Sequence, residues 1–286
     1  MRTIRQRLPG LRFAIHQLLG SKLTVLGATF VIVIMFLAIF APVIAPYGPE
    51  TRVWEDKMQP PSMQHYFGTD DTGADIFSRV LYGYRLDLMM ALSVVVIAAA
   101  LGTFLGAIAA FFGGKSDESI MRVTDVFLAI PGLILAMAVA AVMGRTPTNL
   151  VIALAVTWWP PYARLIRGQV LIEKQKLYVE AAKASGGNWA RVLFKHILPN
   201  AIYPIFVNAT LDLGGVILTI AALSFLGFGV EPGAAELGRM VADGRQFIFV
   251  NPWVVTFPGL AILFVSLGLN LVGDGFRDIL DPRLRR

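Results

Sequence analysis

The sequence predicts an all-α integral membrane protein with six transmembrane helices and with both termini in the cytoplasm. Hydrophobic residues make up 56% of the 286 residues and charged residues only 15%, and mean hydropathy is +0.66. A soluble domain carries about 25% charged residues. Six apolar stretches each approach the roughly 20 residues that a helix needs to cross the hydrocarbon. Lys and Arg concentrate in alternate loops between these stretches, which indicates the orientation.

The six stretches follow one another along a single membrane domain. The first is too long for the apolar region of a signal peptide and is predicted to be a retained span. Pro131 is expected to kink the third stretch. Pro160 and Pro161 interrupt the end of the fourth, which makes it the weakest of the six. The stretches cover approximately residues 23–45, 86–112, 121–143, 149–166, 200–229 and 252–274.

The distribution of basic residues orients the chain. Of the 25 Lys and Arg residues, 18 fall in segments 1–22, 113–122, 164–199 and 275–286, and the other seven fall in the intervening loops. Because basic residues accumulate on the cytoplasmic side, this pattern predicts a cytoplasmic N-terminus and C-terminus. The same pattern explains the net charge of +6 without nucleic acid as a partner.

The segment from Glu180 to Asn200 is polar although it lies between two apolar stretches. Its Glu-Ala-Ala start favours a helix, Gly186 and Gly187 break it, and Leu198-Pro199 precedes the next stretch. The segment therefore predicts two short helices joined by a turn on the cytoplasmic side. A compact helix with small side chains in that position suggests a cytoplasmic partner.

This segment resembles the EAA loop of ABC-transporter permease subunits. The residues that carry the resemblance are expected to couple the chain to its ATPases. His196 stands where that pattern usually has Ile, as in the peptide-transporting branch. The expected coupling residues are Glu180, Ala181, Ala182, Gly186, Gly187, His196, Leu198 and Pro199.

Other stretches extend the resemblance to the C-type permease of dipeptide, oligopeptide and nickel importers. They begin at Phe40, His65, Met121, Leu223 and Gly273, and with them the match extends over nearly the whole chain. The loop at Glu231–Gly238 departs from the family because it lacks the usual Trp. The resemblance implies an ABC importer type I permease fold with a cytoplasmic coupling helix, in a multi-pass protein of the bacterial inner membrane.

The resemblance also implies partners and a division of the chain. The partners are a homologous B-type permease forming a heterodimer, two cytoplasmic ABC ATPases, an extracytoplasmic substrate-binding protein and the lipid bilayer. No cofactor, metal or catalytic residue is expected. The segments are a cytoplasmic basic segment (1–22), a first span (23–45), an extracytoplasmic loop with an interfacial helix (46–85), a core five-helix permease domain (86–275) including the coupling loop (176–199), and a cytoplasmic tail (276–286).

Acidic residues leave several alternatives open. Asn208 and Asp212 either line the translocation pathway, or Asp212 caps a helix break near Gly214-Gly215. Asp125 either pairs with Arg122 or faces the pathway. The cluster Asp70, Asp71 and Asp75 is expected to form a solvated acidic turn that caps a helix, with Thr72 as the cap, rather than to bind metal or act as acid and base.

Aromatic residues in the fourth stretch and in the outer loop also carry expectations. Trp158 and Trp159 are expected in an interfacial aromatic belt, the alternative being packing at a broken helix. A helix after Thr72 is expected to lie in the outer interface on one apolar face. That face comprises Ile76, Phe77, Val80, Leu81 and Tyr84.

Rival functions make different demands on the sequence. Gly114-Lys115-Ser116 is not a P-loop, because residue 109 is Ala where the motif needs Gly. ATP hydrolysis is therefore expected on another polypeptide. A secondary transporter needs coupling charges in the membrane, and a membrane enzyme needs a nucleophile or metal cluster. The cargo stays open among dipeptides, oligopeptides, nickel chelates, glutathione and antimicrobial peptides.

Overall fold

Helices dominate the computed structural model, which describes residues 21–280. Most of the basic segment 1–22 and the end of the tail 276–286 lie outside the described residues. In chain order, the helices are α1 (Lys22–Ile39), α2 (Ala41–Ile44), α3 (Ile76–Phe112), α4 (Gly114–Ala129), α5 (Gly132–Met143), α6 (Pro147–Glu173), α7 (Leu177–Ala184), α8 (Trp189–Arg191), α9 (Leu198–Ala201), α10 (Tyr203–Phe225), α11 (Leu237–Gly244) and α12 (Trp253–Leu280). A π-helix, Val192–Ile197, joins α8 to α9.

Four of the described helices are long and apolar enough to cross a membrane. They are α1, α3, α10 and most of α12. The stretch around Pro131 is a broken pair, since α4 and α5 meet at 93° and count together as a fifth candidate. At Pro131, the predicted third span is therefore broken into two helices, where the sequence predicted only a kink. The count of six remains a prediction.

The predicted fourth span falls within α6, which is not among the sufficiently apolar helices. Its predicted interruption at Pro160 and Pro161 is wrong, because α6 continues through both to Glu173. Protein rather than lipid covers much of this helix, so it does not need a uniformly apolar surface. Trp159 is only 5% exposed and packs edge-on against Phe127 at 5.5 Å, so it belongs to the core and not to an interfacial belt.

The expected interfacial helix after Thr72 is also wrong as a separate element. Helix α3 starts at Ile76 and runs unbroken for 37 residues into the predicted second span. Its start is capped by Asp75, whose carboxylate accepts the Ser78 N–H at 2.8 Å. Ile76, Val80 and Leu81 are buried within protein and do not lie on a membrane surface.

The acidic cluster before α3 caps the helix, as expected, but the expectation of a solvated turn is wrong because Asp70 and Asp75 are buried, and Thr72 is not the cap. Asp70 accepts hydrogen bonds from the Thr72 and Ala74 N–H groups at 2.8 and 3.0 Å and pairs with buried Arg79. Asp75 also contacts Nδ1 of buried His65 at 2.9 Å. Within residues 21–280, no cluster of three or more His, Asp or Glu side chains has the arrangement of a metal site.

Two compact units divide the described chain. The first contains the residues up to Ala91 and from Thr210 onward. Within it, α1 packs on α12, and glycines allow close contact: a Cβ on Gly27 would overlap Leu271, and one on Gly275 would overlap Thr24. Helix α12 continues to Leu280, so the predicted tail from 276 starts as helix.

The second unit, Leu92–Ala209, is held by the packing of α3 against α6. Gly102 lies against the Trp159 carbonyl and Tyr162, and Gly106 lies against the Ala163 carbonyl and Ile166. Glycines four residues apart on one helix face are the usual way for membrane helices to bring their backbones together. The buried core continues from this contact through Val170 to the residues of the 176–199 loop.

Candidate functional site: the 176–199 loop

The first half of the loop is helix α7 and the turn that ends it. Glu180, Ala181 and Ala182 lie in α7, and the helix closes with Gly186 at φ +78°. The Gly186 N–H donates to the Lys183 carbonyl and the Gly187 N–H to the Ala182 carbonyl. This pair of bonds is a Schellman motif, which requires a residue that tolerates positive φ.

The second half returns through a continuous helical run from Trp189 to Ala201. Asn188 starts it by accepting the Arg191 N–H at 2.8 Å through its side chain. The middle of the run is the π-helix, whose Val192, Leu193 and Ile197 are at most 1% exposed. The prediction of two short helices joined by a turn is thus confirmed, with a π-helix as an unexpected element. Wider π turns are frequent at functional sites.

A buried carboxylate attaches the loop to the end of α6. Glu173, 8% exposed, accepts hydrogen bonds at 2.6 Å from both Lys176 Nζ and the Tyr178 hydroxyl. Burial raises the pKa of Glu173, but the bonds from Lys176 and Tyr178 outweigh it and bring the pKa below its usual range. Burial and the hydrogen bond to the Glu173 carboxylate raise the pKa of Tyr178 to about 12. The carboxylate is therefore the form that holds α7 in place.

Lys174 attaches the other side of this junction to α3. Its ammonium donates to the backbone carbonyl of Phe111 at 2.6 Å and to that of Ala110 at 3.3 Å. A cation at a helix C-terminus satisfies carbonyls that lack intrahelical partners. The predicted coupling residues did not include Glu173 or Lys174. The available signal was a single acid, Glu173, followed closely by Lys174 and Lys176 at the helix end.

The outer surface of the loop is apolar in places where water would normally favour polar residues. Leu177 is 81% exposed and Trp189 is 49% exposed, and Tyr178, next to Leu177 in the chain, is 37% exposed. Lys183 and Arg191 of the same loop are exposed as well. Large apolar side chains that stay exposed in a polar loop are typical of a docking surface for another protein.

The predicted coupling residues all lie in this loop, but they differ in how far they are exposed. Glu180, Ala181, Gly186 and Pro199 are exposed. The other four are partly buried: Ala182, Gly187, His196 and Leu198. Ala182 and Leu198 pack on the core that includes Val179, so this face holds the loop to its unit while the opposite face stays free.

The two predicted pathway residues lie one turn apart on α10. Asn208 and Asp212 are both partly buried. The alternative that Asp212 caps a helix break is wrong, because α10 runs unbroken from Tyr203 to Phe225. Gly214 has a packing role instead: its missing side chain admits Asn270, and its carbonyl accepts the Ser266 hydroxyl at 3.2 Å.

Two ion pairs that the sequence did not predict connect α4 to α6. Arg167 binds Asp117 through two parallel hydrogen bonds of 2.6 Å. Asp125 pairs with Arg164 at 2.5 Å, whereas the expected partner Arg122 contacts Glu118. The partners lie 39 and 50 residues apart, so only the folded chain could identify them.

Replacing Glu173 with Gln is expected to loosen the start of the loop. Hydrogen bonds to a charged group contribute about 1.5–3 kcal/mol, so backbone amides of residues 174–180 should exchange with solvent roughly ten to a hundred times faster. Hydrogen–deuterium exchange read by mass spectrometry measures this. Exposed Glu180→Gln is the matched control and should leave exchange unchanged.

The effect of Glu173 should also depend on pH. Because the pKa of Glu173 is lowered from 4.5, its stabilisation is present above pH 4.5 and disappears as pH falls through the folded-state pKa. The exchange difference between Glu173→Gln and the native chain should therefore shrink in acid. A difference that stays constant from neutral to acidic pH would contradict this assignment.

Comparison with known proteins gives matches over almost the whole chain. Residues 102–286 match the model of the binding-protein-dependent transport system inner membrane component family. Residues 11–61 match the N-terminal transmembrane domain of oligopeptide transport permease C. The probable D,D-dipeptide transport system permease protein DdpC of Escherichia coli K12 is 42% identical over 269 residues, covering 94% of this chain and 90% of its own.

A glutathione permease and a solved transporter are also similar. The glutathione transport system permease protein GsiD of Pectobacterium atrosepticum is 40% identical over 271 residues, covering 94% of this chain and 90% of its own. The MetNI methionine ABC transporter in inward-facing conformations superposes with a TM-score of 0.56 at 19% identity. That match covers 71% of this chain and 97% of the other, and it shows a shared fold.

Proposed function

Because the chain belongs to the family of binding-protein-dependent transport system inner membrane components, we propose that it forms half of the translocation pathway of an ATP-driven importer of di- or oligopeptides. The 176–199 loop is the observation that carries this proposal. It combines an apolar outer surface with rigid attachment to α6 and α3 through Glu173 and Lys174. A surface of this kind suits docking to an ATPase that supplies the energy of transport.

Family membership makes the chain a multi-pass component of the inner membrane in an ABC importer. The family implies partners of three kinds: ATPases, a substrate-binding protein and a paired permease. The rival secondary transporter does not fit, because members of this family are permease subunits of ABC importers. We propose further that the paired subunit is a homologous B-type permease, that two ATPases bind in the cytoplasm, and that the chain catalyses no bond chemistry.

In this proposal, the loop transmits movement of the ATPases to the membrane helices beside it. The exposed face of α7 docks on the ATPase, with Glu180 at its centre. The buried face, through Val179, Leu193 and Ile197, moves with α6 and α10 because it packs in the same core. Nucleotide state then shifts the population between outward-open and inward-open pathways.

Peptide is the cargo that the relatives favour. The relatives described above are named for D,D-dipeptides and for glutathione, itself a small peptide, and neither name mentions nickel. The nickel alternative is therefore not favoured. Within the chain, Asn208 and Asp212 are the proposed pathway residues, since polar side chains in a spanning helix face a cavity or the bundle interior and not lipid.

Reconstituted vesicles test the proposed function. Vesicles that contain this chain with its paired permease, its ATPases and its binding protein should accumulate labelled dipeptide only when ATP is supplied. A proton gradient without ATP should give no uptake. Uptake driven by the gradient alone would overturn the importer assignment, and ATP-driven uptake of nickel but not peptide would overturn the cargo.

A further inference from the structure

Two carboxyl groups are buried together where α11 meets α3. Asp87 is 1% exposed and Glu236 is fully buried. The Leu237 N–H, next to Glu236 in the chain, points to Asp87 Oδ2 at 3.4 Å, which brings the two groups within mutual repulsion if both are ionised. Neither residue belongs to the 176–199 loop or to the proposed pathway.

Hydrogen bonds distinguish the two carboxyl groups. Glu236 accepts the Gly238 N–H at 2.9 Å and the Arg239 N–H at 2.7 Å, one on each oxygen, and thereby caps α11. Asp87 has only the long contact from Leu237, and its Oδ1 has no hydrogen-bond partner among the described residues. A helix N-terminus stabilises an anion, so Glu236 is suited to carry the negative charge. Asp87 is suited to be neutral, because an unpartnered charged oxygen is far costlier to bury.

The surrounding charges do not compensate two anions. From α11, Arg239 is the one nearby cation in the described part of the chain, and its guanidinium already pairs with Asp243. From α3, the Tyr84 phenol lies near Asp87. From α10, buried Ser224 contributes a hydroxyl beside Glu236. Burial raises the pKa of Glu236, and the hydrogen bonds of its cap only partly oppose that effect.

The packing around the pair leaves little room for solvent. A Cβ on Gly83 of α3 would lie 2.9 Å from the Leu237 side chain. A Cβ on Gly238 would overlap the Ala221 backbone of α10. Both glycines lie where α3, α10 and α11 approach one another, and the two carboxyl side chains are buried there, so solvent screens their repulsion little while the helices stay together.

We propose that Asp87 and Glu236 form a binding site for one proton, which resides on Asp87 and holds the start of α11 against α3. Any state in which α11 moves away hydrates both carboxyl groups and releases the proton. Proton binding and separation of these helices are therefore thermodynamically linked, and alkaline pH favours the separated state.

The pH dependence of stability follows from this assignment. A hydrated aspartic acid ionises near pH 4, so unfolding at neutral pH releases the proton. The folded state consequently binds more protons than the unfolded state, and its stability falls as pH rises above about 4. The Asp87→Asn replacement keeps the shape of the neutral acid but carries no proton that unfolding could release.

Thermal melting of the assembled transporter in nanodiscs tests the site. The Tm of Asp87→Asn minus that of the native protein should be at least about 4 °C larger at pH 8 than at pH 5. Asp274→Asn, an exposed acid on α12, is the control and should show no such growth. A Tm difference for Asp87→Asn that is the same at both pH values would overturn the proposal.

A spectroscopic readout covers the case in which Asp87→Asn fails to assemble. Infrared difference spectroscopy should find a protonated carboxyl band at pH 7 in the native transporter and in Asp274→Asn. Glu236→Gln removes the repulsion between the two carboxyl groups. The Asp87 carboxyl of this variant should therefore ionise at lower pH than it does in the native protein. Absence of the band from the native transporter at pH 7, or no change in its titration in Glu236→Gln, would refute a bound proton.

Discussion

Replacing Gly106 with leucine is expected to destroy the packing of the second unit and to leave little folded protein. A Cβ at this position overlaps the Ala163 carbonyl and lies 2.6 Å from Ile166 Cγ2. The overlapped atom is backbone, so no side-chain rotation relieves the clash. Overpacking a core costs about 1–3 kcal/mol and occasionally more, and a backbone clash in the contact of two long helices should exceed that range.

Gly168 offers a matched control for Gly106. It lies on α6, the other helix of the same contact, yet a Cβ there meets nothing within 4 Å. Gly168→Leu should therefore melt close to the native chain, while Gly106→Leu should show a large drop in Tm and in the yield of monodisperse protein. Equal melting temperatures for the two variants would show that the close approach of α3 and α6 does not stabilise the unit.

Replacing Glu180 with Arg is expected to reduce ATP-driven transport by at least about tenfold while the chain stays folded in the membrane. The side chain is exposed on α7 and makes no hydrogen bond or ion pair with other described residues, so its loss costs the fold little. On the proposed docking surface, however, reversing a charge replaces an attraction with a repulsion. Charge reversal of this kind costs about 1–3 kcal/mol, and 1.4 kcal/mol corresponds to tenfold.

Glu118→Arg is the control for this charge reversal. Glu118 is also exposed and acidic, and it lies on α4 outside the loop, where it makes only a surface pair with Arg122. Its replacement should leave uptake close to native. Peptide uptake and ATP hydrolysis should be measured together, because an uncoupled transporter hydrolyses ATP without uptake. Equal uptake by Glu180→Arg and Glu118→Arg would contradict a coupling role for Glu180.

Local sequence patterns predicted the local structure of the loop. Glu-Ala-Ala favours a helix and Gly186 permits positive φ, so helix, turn and returning helix follow from a few consecutive residues. The same reasoning could not identify the hydrogen bonds by which Glu173 holds α7 to the end of α6. A carboxylate becomes buried and doubly hydrogen-bonded only when α6 and α7 meet at a particular angle. The π-helix likewise contributes Leu193 and Ile197 to a core that also contains residues of α3, α6 and α10.

Local sequence patterns gave wrong predictions in two places. Proline was taken as enough to interrupt a helix, and an apolar face was taken as enough to indicate contact with the membrane. Pro160 and Pro161 were expected to interrupt the end of a span, but α6 continues through both, where its backbone packs closely on Gly102 and Gly106 of α3. The face around Ile76 and Leu81 was expected to meet lipid, but protein covers it. A hydrophobic pattern shows which side of a helix avoids water, not whether lipid or protein covers it.

The sequence by itself determined the class, the family and the approximate position of the apolar helices, because these depend on composition, charge distribution and short motifs that need no partner in space. Only the tertiary structure decided which ionisable side chains meet. Asp117 with Arg167, Asp125 with Arg164 and Asp87 with Glu236 are separated by many residues, and their distances, burial and hydrogen bonds come from helix packing. The energy of a charge depends on what surrounds it, and that environment exists only in the folded chain.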